Sequence, residues 1–222
     1  MDAIATDRSR RAAGLSGRSG TREEGSTDRG IRLGRGQTLF FEGDAATHYY
    51  EIVSGTIRCC RLVADGRRSI LRFAGHGSFL GIGCVDRYGY AAEAVTASIV
   101  RRHRLSGLEA AMADPGLRYR VLAALREELS ATRDQMMLLG RMSAAERLAA
   151  FLVGYAARHP RVDGCVELPM TRSDVADHLG LTVETVSRKL HELDALGLIR
   201  IETPSRIRIL EPGRIEAIAE AA

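Results

Sequence analysis

Glu184, Ser187 and Arg188 fall within the stretch LTVETVSRKLHELDALGLIRI, residues 181–201. At helical spacing the three share one side of a helix. Arginine can donate two hydrogen bonds to guanine O6 and N7, glutamate can accept one from cytosine N4, and serine can bond a base or a phosphate. Together they could read a half-site that contains a G·C pair. Without nucleic acid, Glu184 would simply favour the positive end of the helix dipole and Arg188, four residues on, would pair with it. Thr171, Arg172, Thr182, Thr185 and Lys189 complete the candidate DNA contacts.

Such a trio needs a helix held by a scaffold. Thr171 is placed to cap RSDVADHLG, and Gly180 is a natural stop. Thr182 is placed to cap the next helix, which Gly197 ends. Two helices of about eight and fourteen residues, joined by Leu179-Gly180-Leu181-Thr182, form a helix-turn-helix. LIRIETPSRIRIL adds two short strands about Thr203-Pro204-Ser205, which makes the motif winged. Val186, Leu190, Leu193 and Leu196 are expected to pack inward. Upstream, VDGCVELPM reads as a turn and a short strand. Ser143 with Glu146 makes a capping box before AAERLAAFLVGYAARH, so the DNA-binding part begins near Arg141.

From about Pro115 to Met142 the period is helical. Leu122, Leu125, Leu129, Thr132, Met136 and Leu139 step by three and four residues in alternation, a heptad seam with one polar step at Thr132. A seam this narrow calls for a partner helix, and a second copy of the chain would supply it. The alternative is an amphipathic helix lying on its own domain. From Ile31 to about Arg104 the chain reads as short strands between glycine turns, clearest in THYYEIVSGTIRCCRLVADGRRSILRFA. The expected class is α+β: an antiparallel β-barrel of jelly-roll type over 31–114, a dimerising helix over 115–140 and a winged helix-turn-helix over 141–222. Residues 1–30 hold almost nothing apolar to bury and are expected to be a disordered tail.

At 222 residues and a net charge of +4, the chain permits nucleic-acid binding without demonstrating it. Lys189 is its one lysine. No apolar run approaches the ~18 residues of a membrane span, and no secretory signal is evident, so a cytoplasmic protein with no membrane partner is expected. The four cysteines form no CxxC pair and lack the histidine spacing of a zinc site, so no metal site and free thiols are expected. A cupin-like enzyme would need two inward histidines at short spacing and a carboxylate. His48 and Glu51 alone fall short, so no enzyme is expected.

MTRSDVADHLGLTVETVSRKLHELDALGLIRI resembles the DNA-binding domain of the CRP/FNR family of bacterial transcription regulators. RGQTLFFEGDAATHYYEIVSGTIRCCRLVADGRRSI is similar to the family's sensor barrel, and SAAERLAAFL to its junction helix. The pattern ExxSR resembles the FNR and FixK branches; the CRP branch usually has an arginine where this chain has Val183. The resemblance implies a homodimer on inverted repeats of TTGAT-like half-sites, with Arg188 at the guanine and Glu184 at the opposite cytosine. It also implies RNA polymerase as a partner and control of low-oxygen, nitrogen-oxide or redox responses; an activator is expected, with the sign, activator or repressor, left open by the residues.

The barrel departs from the cyclic-nucleotide pattern. Gly77-Ser78 stands where the ribose would need Gly-Glu, and Gly89-Tyr90-Ala91 where the phosphate would need an arginine pair, which argues against cyclic AMP. Arg87 and Arg101 are the arginines nearest in sequence. No cysteine precedes Cys59, and Cys59 and Cys60 should point to opposite faces of a strand, which argues against an iron-sulfur cluster. Cys84, in GSFLGIGCVDRYG where the family places its ligand, is the candidate redox residue. His48, His76 and His103 are candidate haem ligands without favourable spacing. The cofactor is left open. The alternative to a FixK-like regulator is an effector-binding module, cyclic-nucleotide-like or haem, with cofactor-dependent DNA binding.

Overall fold

The computed structural model describes residues 30–159 and 163–220. The tail expected over 1–30 therefore lies, but for Gly30, outside the described residues. Eight strands form two antiparallel four-stranded sheets. One has the order β1 (Ile31–Leu33), β8 (Ser98–Arg104), β3 (His48–Ser54), β6 (Phe79–Leu80). The other runs β2 (Thr38–Phe40), β7 (Ala91–Ala94), β4 (Ile57–Leu62), β5 (Arg68–Ala74). The two sheets make a jelly-roll-like sandwich and not a closed barrel. The alternating runs do become β3, β4 and β5. At the Ser54-Gly55 turn φ is +90°, and a Cβ on Gly55 would lie 2.6 Å from the Ala97 carbonyl oxygen, so only glycine fits.

A short helix α1 (Leu108–Ala111) leads to α2 (Pro115–Arg141), where the Asp114 carboxylate accepts from the N–H groups of Gly116 and Leu117 and Pro115 starts the first turn. Val121, on the inner side of α2, packs with Tyr49, Phe79 and Ile82 of the sandwich. The chain becomes extended at Met142 and restarts at Ser143, whose side chain and Glu146 complete the capping box of α3 (Ala144–Arg158).

β9 (Cys165–Glu167), α4 (Arg172–Leu179), α5 (Val183–Ala195), β10 (Ile199–Thr203), β11 (Arg206–Ile209) and α6 (Pro212–Ala219) follow. The three strands pair antiparallel in the order β10-β11-β9. One core joins the end of α2 to α3, α4, α5 and the wing, and Val95 and Phe73 of the sandwich pack into the same core. The sandwich and the C-terminal part are therefore docked on one another and not merely tethered.

Candidate nucleic-acid interface

α4 and α5 are set by local chemistry. Thr171 Oγ1 accepts from the Asp174 N–H at 3.1 Å, and an Asp174 oxygen accepts from the Thr171 N–H at 3.0 Å, a reciprocal cap. Gly180 closes α4 in the left-handed conformation at φ +62°, with the Leu181 N–H on the Ala176 carbonyl. Thr182 Oγ1 then accepts from the Thr185 N–H at 3.2 Å and starts α5.

Val186, Leu190 and Leu193 are buried and fix which side of α5 faces away from the core. Leu196 departs from expectation. It is the C-cap residue, 61% exposed, because α5 ends at Ala195 and the turn at Gly197 delivers Leu198 to the core instead. On the outward side stand Thr182, Glu184 and Arg188, all exposed, with Thr185, Ser187 and Lys189 half-buried along the flanks. Thr171 is exposed at the start of α4, and Arg172 beside it is half-buried.

Arg188 does not pair back to Glu184. Its Nε lies 3.8 Å from Glu192 Oε1, one turn further on, and Lys189 Nζ lies 2.6 Å from the other Glu192 oxygen. At 66% side-chain exposure the loose Arg188 contact contributes little, since exposed pairs are worth about 0.3–0.5 kcal/mol and are readily exchanged. Glu184 accepts from its own backbone N–H and from Thr182, which holds its carboxyl below the usual range, so it is an acceptor at neutral pH. The helix thus presents an ionised acceptor and a loosely held guanidinium one turn apart.

Wing arginines were not singled out from sequence, although the alternation RIRI exposes every second residue. Arg206 and Arg208 both reach Glu202, at 3.6 and 2.6 Å, and Arg200 lies 3.6 Å from Asp194.

On α2 the six seam residues Leu122, Leu125, Leu129, Thr132, Met136 and Leu139 are all exposed, Met136 at 71%. The other side of the helix is occupied: Val121 and Leu138 are buried, and Gln135 donates to the His178 carbonyl at 2.6 Å. A helix on its own domain would bury its apolar seam; this one leaves it open.

A Crp-like helix-turn-helix domain model matches residues 146–218, and a cyclic nucleotide-binding domain model matches residues 31–114. The nitrogen fixation regulation protein FixK of Bradyrhizobium diazoefficiens is 40% identical over 197 residues, covering 87% of this chain and 83% of that one. The chain belongs to the CRP/FNR family, in its FixK-like branch. The transcriptional activatory protein AadR of Rhodopseudomonas palustris is similarly close, 40% identical over 195 residues, covering 86% of this chain and 81% of that one. The structure of FixK2 from Bradyrhizobium japonicum matches at a TM-score of 0.80 with 34% identity, over 87% of this chain and 98% of that one. This CRP/FNR chain is a DNA-binding transcription regulator.

Aromatic side chains pack together inside the regulator's sandwich. Phe40 stacks on Tyr88 with ring centroids 3.8 Å apart and leans on Tyr50 and Tyr90. Tyr90, at the place where a cyclic nucleotide would need an arginine pair, accepts from the Gly81 N–H at 2.9 Å. Arg72 points inward beside Cys59 and Tyr90, donates to the Phe79 carbonyl at 2.9 Å and lies 3.6 Å from Glu128 of α2. Arg87 instead donates to the Gly43 carbonyl, and Arg101 to Glu51.

Cys59 and Cys60 face opposite ways, as expected of neighbours on a strand. Cys59 lies in the sandwich core, where burial pushes its thiol up to about 11. Cys60 lies on the outer face near Arg58, Arg68 and Asp174, and burial pushes it up as well. Cys84 is half-buried at the edge of the sandwich core. The three candidate haem histidines are separately engaged: His48 Nδ1 with Thr47 Oγ1 at 2.9 Å, His76 Nδ1 with the Val53 carbonyl at 2.8 Å, and His103 stacked on Tyr49 at 4.8 Å. His103 shares the α2-facing side of the sheet with Tyr49, whereas His48 pairs one position along and points the other way. No helix among the described residues is long and apolar enough to cross a membrane.

Proposed function

We propose that the regulator is a homodimeric activator that reads inverted repeats of TTGAT-like half-sites in genes for low-oxygen, nitrogen-oxide or redox responses. Its units are a sensor over 31–114, a dimerising helix over 115–140 and a DNA-reading part over 141–222. Arg188 pairs with the guanine and Glu184 with the opposite cytosine; Thr171, Arg172, Thr182, Thr185, Ser187 and Lys189 support them. RNA polymerase is the downstream partner. The observation that carries the reading is that one capped helix turns Glu184 and Arg188 outward while the apolar seam of α2 is left open for a second copy. Two half-sites related by a two-fold need two reading helices related the same way. The names of the relatives, a nitrogen fixation regulator and a transcriptional activatory protein, support the activator role and the metabolic setting.

The aromatic packing inside the sandwich, with Tyr90 where the phosphate would need an arginine, supports DNA binding that does not require cyclic nucleotide. The deciding test is a fluorescence-anisotropy titration of a TTGAT-N4-ATCAA duplex against a scrambled duplex at one fixed physiological salt, because phosphate contacts dominate raw affinity. Reduced protein is expected to prefer the repeat by at least ~1000-fold without cyclic AMP. Equal binding to both duplexes would reject the reader. Preference that appears only with cyclic AMP would favour the effector-dependent alternative, and a preference lost on peroxide treatment would make the sensor a thiol.

A further inference from the structure

The outer face of β4 and β5 carries a cluster that the DNA-reading surface does not use. Asp174, on the first turn of α4, has a side chain only 2% exposed. One of its oxygens accepts from the N–H and the hydroxyl of Thr171, at 3.0 and 2.8 Å, and so completes the cap of α4. The other accepts from Arg58 Nη1 and from Arg68 Nη2, both at 2.8 Å. Arg58 is in turn held by both oxygens of Glu93, at 3.2 and 2.6 Å, and Arg68 donates Nε and Nη2 to Asp177, at 2.9 and 2.8 Å. One carboxylate therefore serves two domains, capping the first helix of the helix-turn-helix and binding two arginines of the sandwich.

Next to it, His178 Nδ1 donates to the Ile70 carbonyl of β5 at 3.0 Å, and the Phe73 and Phe151 rings pack edge-on against the imidazole. Gln135 of α2 donates to the His178 carbonyl. Strand β5, helix α2 and helix α4 thus meet within one turn of α4. The covalent path between α2 and the reading domain, by contrast, passes through only two extended residues, Met142 and Ser143.

Buried ion networks give little net stability, because desolvation offsets most of the attraction; their best-attested use is to fix one geometry against others. Arginine forks are suited to that, since planar paired hydrogen bonds define direction as well as distance. Accordingly, we infer that the Arg58–Asp174–Arg68 node fixes the position of α5 relative to α2, and so sets the half-site spacing that the dimer accepts. These are positioning residues: none of them lies on the outward side of α5. The inference rests on the proposed reading of DNA by α5 in a dimer.

Each base pair added to the spacer moves one half-site by about 3.4 Å and turns it by about 35°, so a rigidly held pair of reading helices should tolerate one spacing. The test compares wild type, the double variant R58Q/R68Q and Asp174→Asn on TTGAT-N4-ATCAA and on duplexes with the spacer one or two base pairs shorter or longer. A scrambled duplex and a single half-site are included, all at one salt. Asp174→Asn keeps an acceptor for the Thr171 cap, so α4 stays intact if the double variant unfolds. Wild type is expected to prefer one spacing at least ~10-fold over its neighbours, and the variants to lose most of that preference while keeping their preference for the half-site over the scramble. Variants with wild-type spacing preference and intact half-site preference would overturn the inference alone. A wild type that does not prefer the half-site to the scramble would overturn the DNA reading and the inference with it.

Discussion

Arg147 Nη1 donates to the Leu179 carbonyl at 3.0 Å, and the same guanidinium donates Nε to the Met142 carbonyl at 2.9 Å and Nη2 to the Leu139 carbonyl at 3.0 Å. One side chain of α3 thus satisfies terminal carbonyls of both α2 and α4, where the negative ends of the two helix dipoles converge. Met142 O and Leu139 O belong to the end of the proposed dimer helix, and Leu179 O to the turn before the reader. Arg147→Met keeps the aliphatic stem but leaves three carbonyls without their donor. At about 1.5–3 kcal/mol for a single hydrogen bond to a charged group, and allowing for water at the exposed end, we expect a loss of about 2–3 kcal/mol in urea unfolding. A loss below about 0.5 kcal/mol would show that solvent replaces the guanidinium.

Arg188→Ala is expected to lose about 1–3 kcal/mol of specific DNA binding and to relax the preference at the guanine of the half-site. Its contact to Glu192 is long and exposed, so the free protein should keep its melting temperature. Competition titrations with each base at that position provide the check. A variant that discriminates as wild type does would move Arg188 from the base to the phosphate backbone or off the DNA.

Much of the reading domain was legible because its signals are local. Ser143 with Glu146, Thr171 with Asp174, Thr182, and the left-handed glycines at 180 and 197 each act within a few residues, and each caps or stops the helix at which it stands. The apolar period likewise put Glu184 and Arg188 on the outward side of α5. It failed at Leu196, where the period runs past the helix end. What no local pattern could show is the second role of Asp174, whose arginine partners lie 116 and 106 residues away. The same docking explains why Cys60 and Ile70, on the outer face of the β4–β5 pair, are buried: α4 covers them. Alternation along a strand tells which residues share a face, and only the tertiary fold tells whether that face is wet.

Leu129→Glu and Met136→Glu test the α2 seam. Both residues are exposed in the single chain, so the fold should survive. In a two-fold pair each substitution strikes the interface twice, and burying a Leu or Met side chain is worth roughly 1.5–3 kcal/mol, so self-association should weaken by ~100-fold or more. Sedimentation velocity over a dilution series reads this directly. Unchanged sedimentation would place the interface elsewhere.

Alkylation should distinguish the thiols. Cys59, Cys60 and Cys165 are buried, and burial pushes Cys59 up to about 11, far from its thiolate form at neutral pH. Cys84 is the free cysteine with partial exposure. Brief treatment of native protein with N-ethylmaleimide should therefore add a single adduct, on the peptide that holds Cys84, with the others reacting only after unfolding. Prompt native labelling of Cys59 would mean that the sandwich opens readily, and peptide mass spectrometry separates the two results.

Acid should loosen the contact between sandwich and reader. His178 Nδ1 must carry hydrogen to donate to the Ile70 carbonyl, and the ring is packed between Phe73 and Phe151. Burial holds its pKa below the usual 6.5; the Ile70 bond opposes this in part, and the charge of Arg158 adds a still smaller push in the same direction as burial. Below pH 6.5 the unfolded chain therefore binds a proton that the folded one resists. The stabilising effect of a neutral His178 is complete above that pH and is lost as pH falls below it, by at most about 1.4 kcal/mol per pH unit for one proton. His48 and His103 are shifted the same way, mainly by burial, and add to the total slope. The informative quantity is thus the difference from His178→Gln, whose amide can still donate to Ile70 but does not titrate. Urea unfolding between pH 7.5 and 5.5 should show wild type losing stability more steeply than the variant, and equal slopes would mean that protonated His178 is accommodated without undocking.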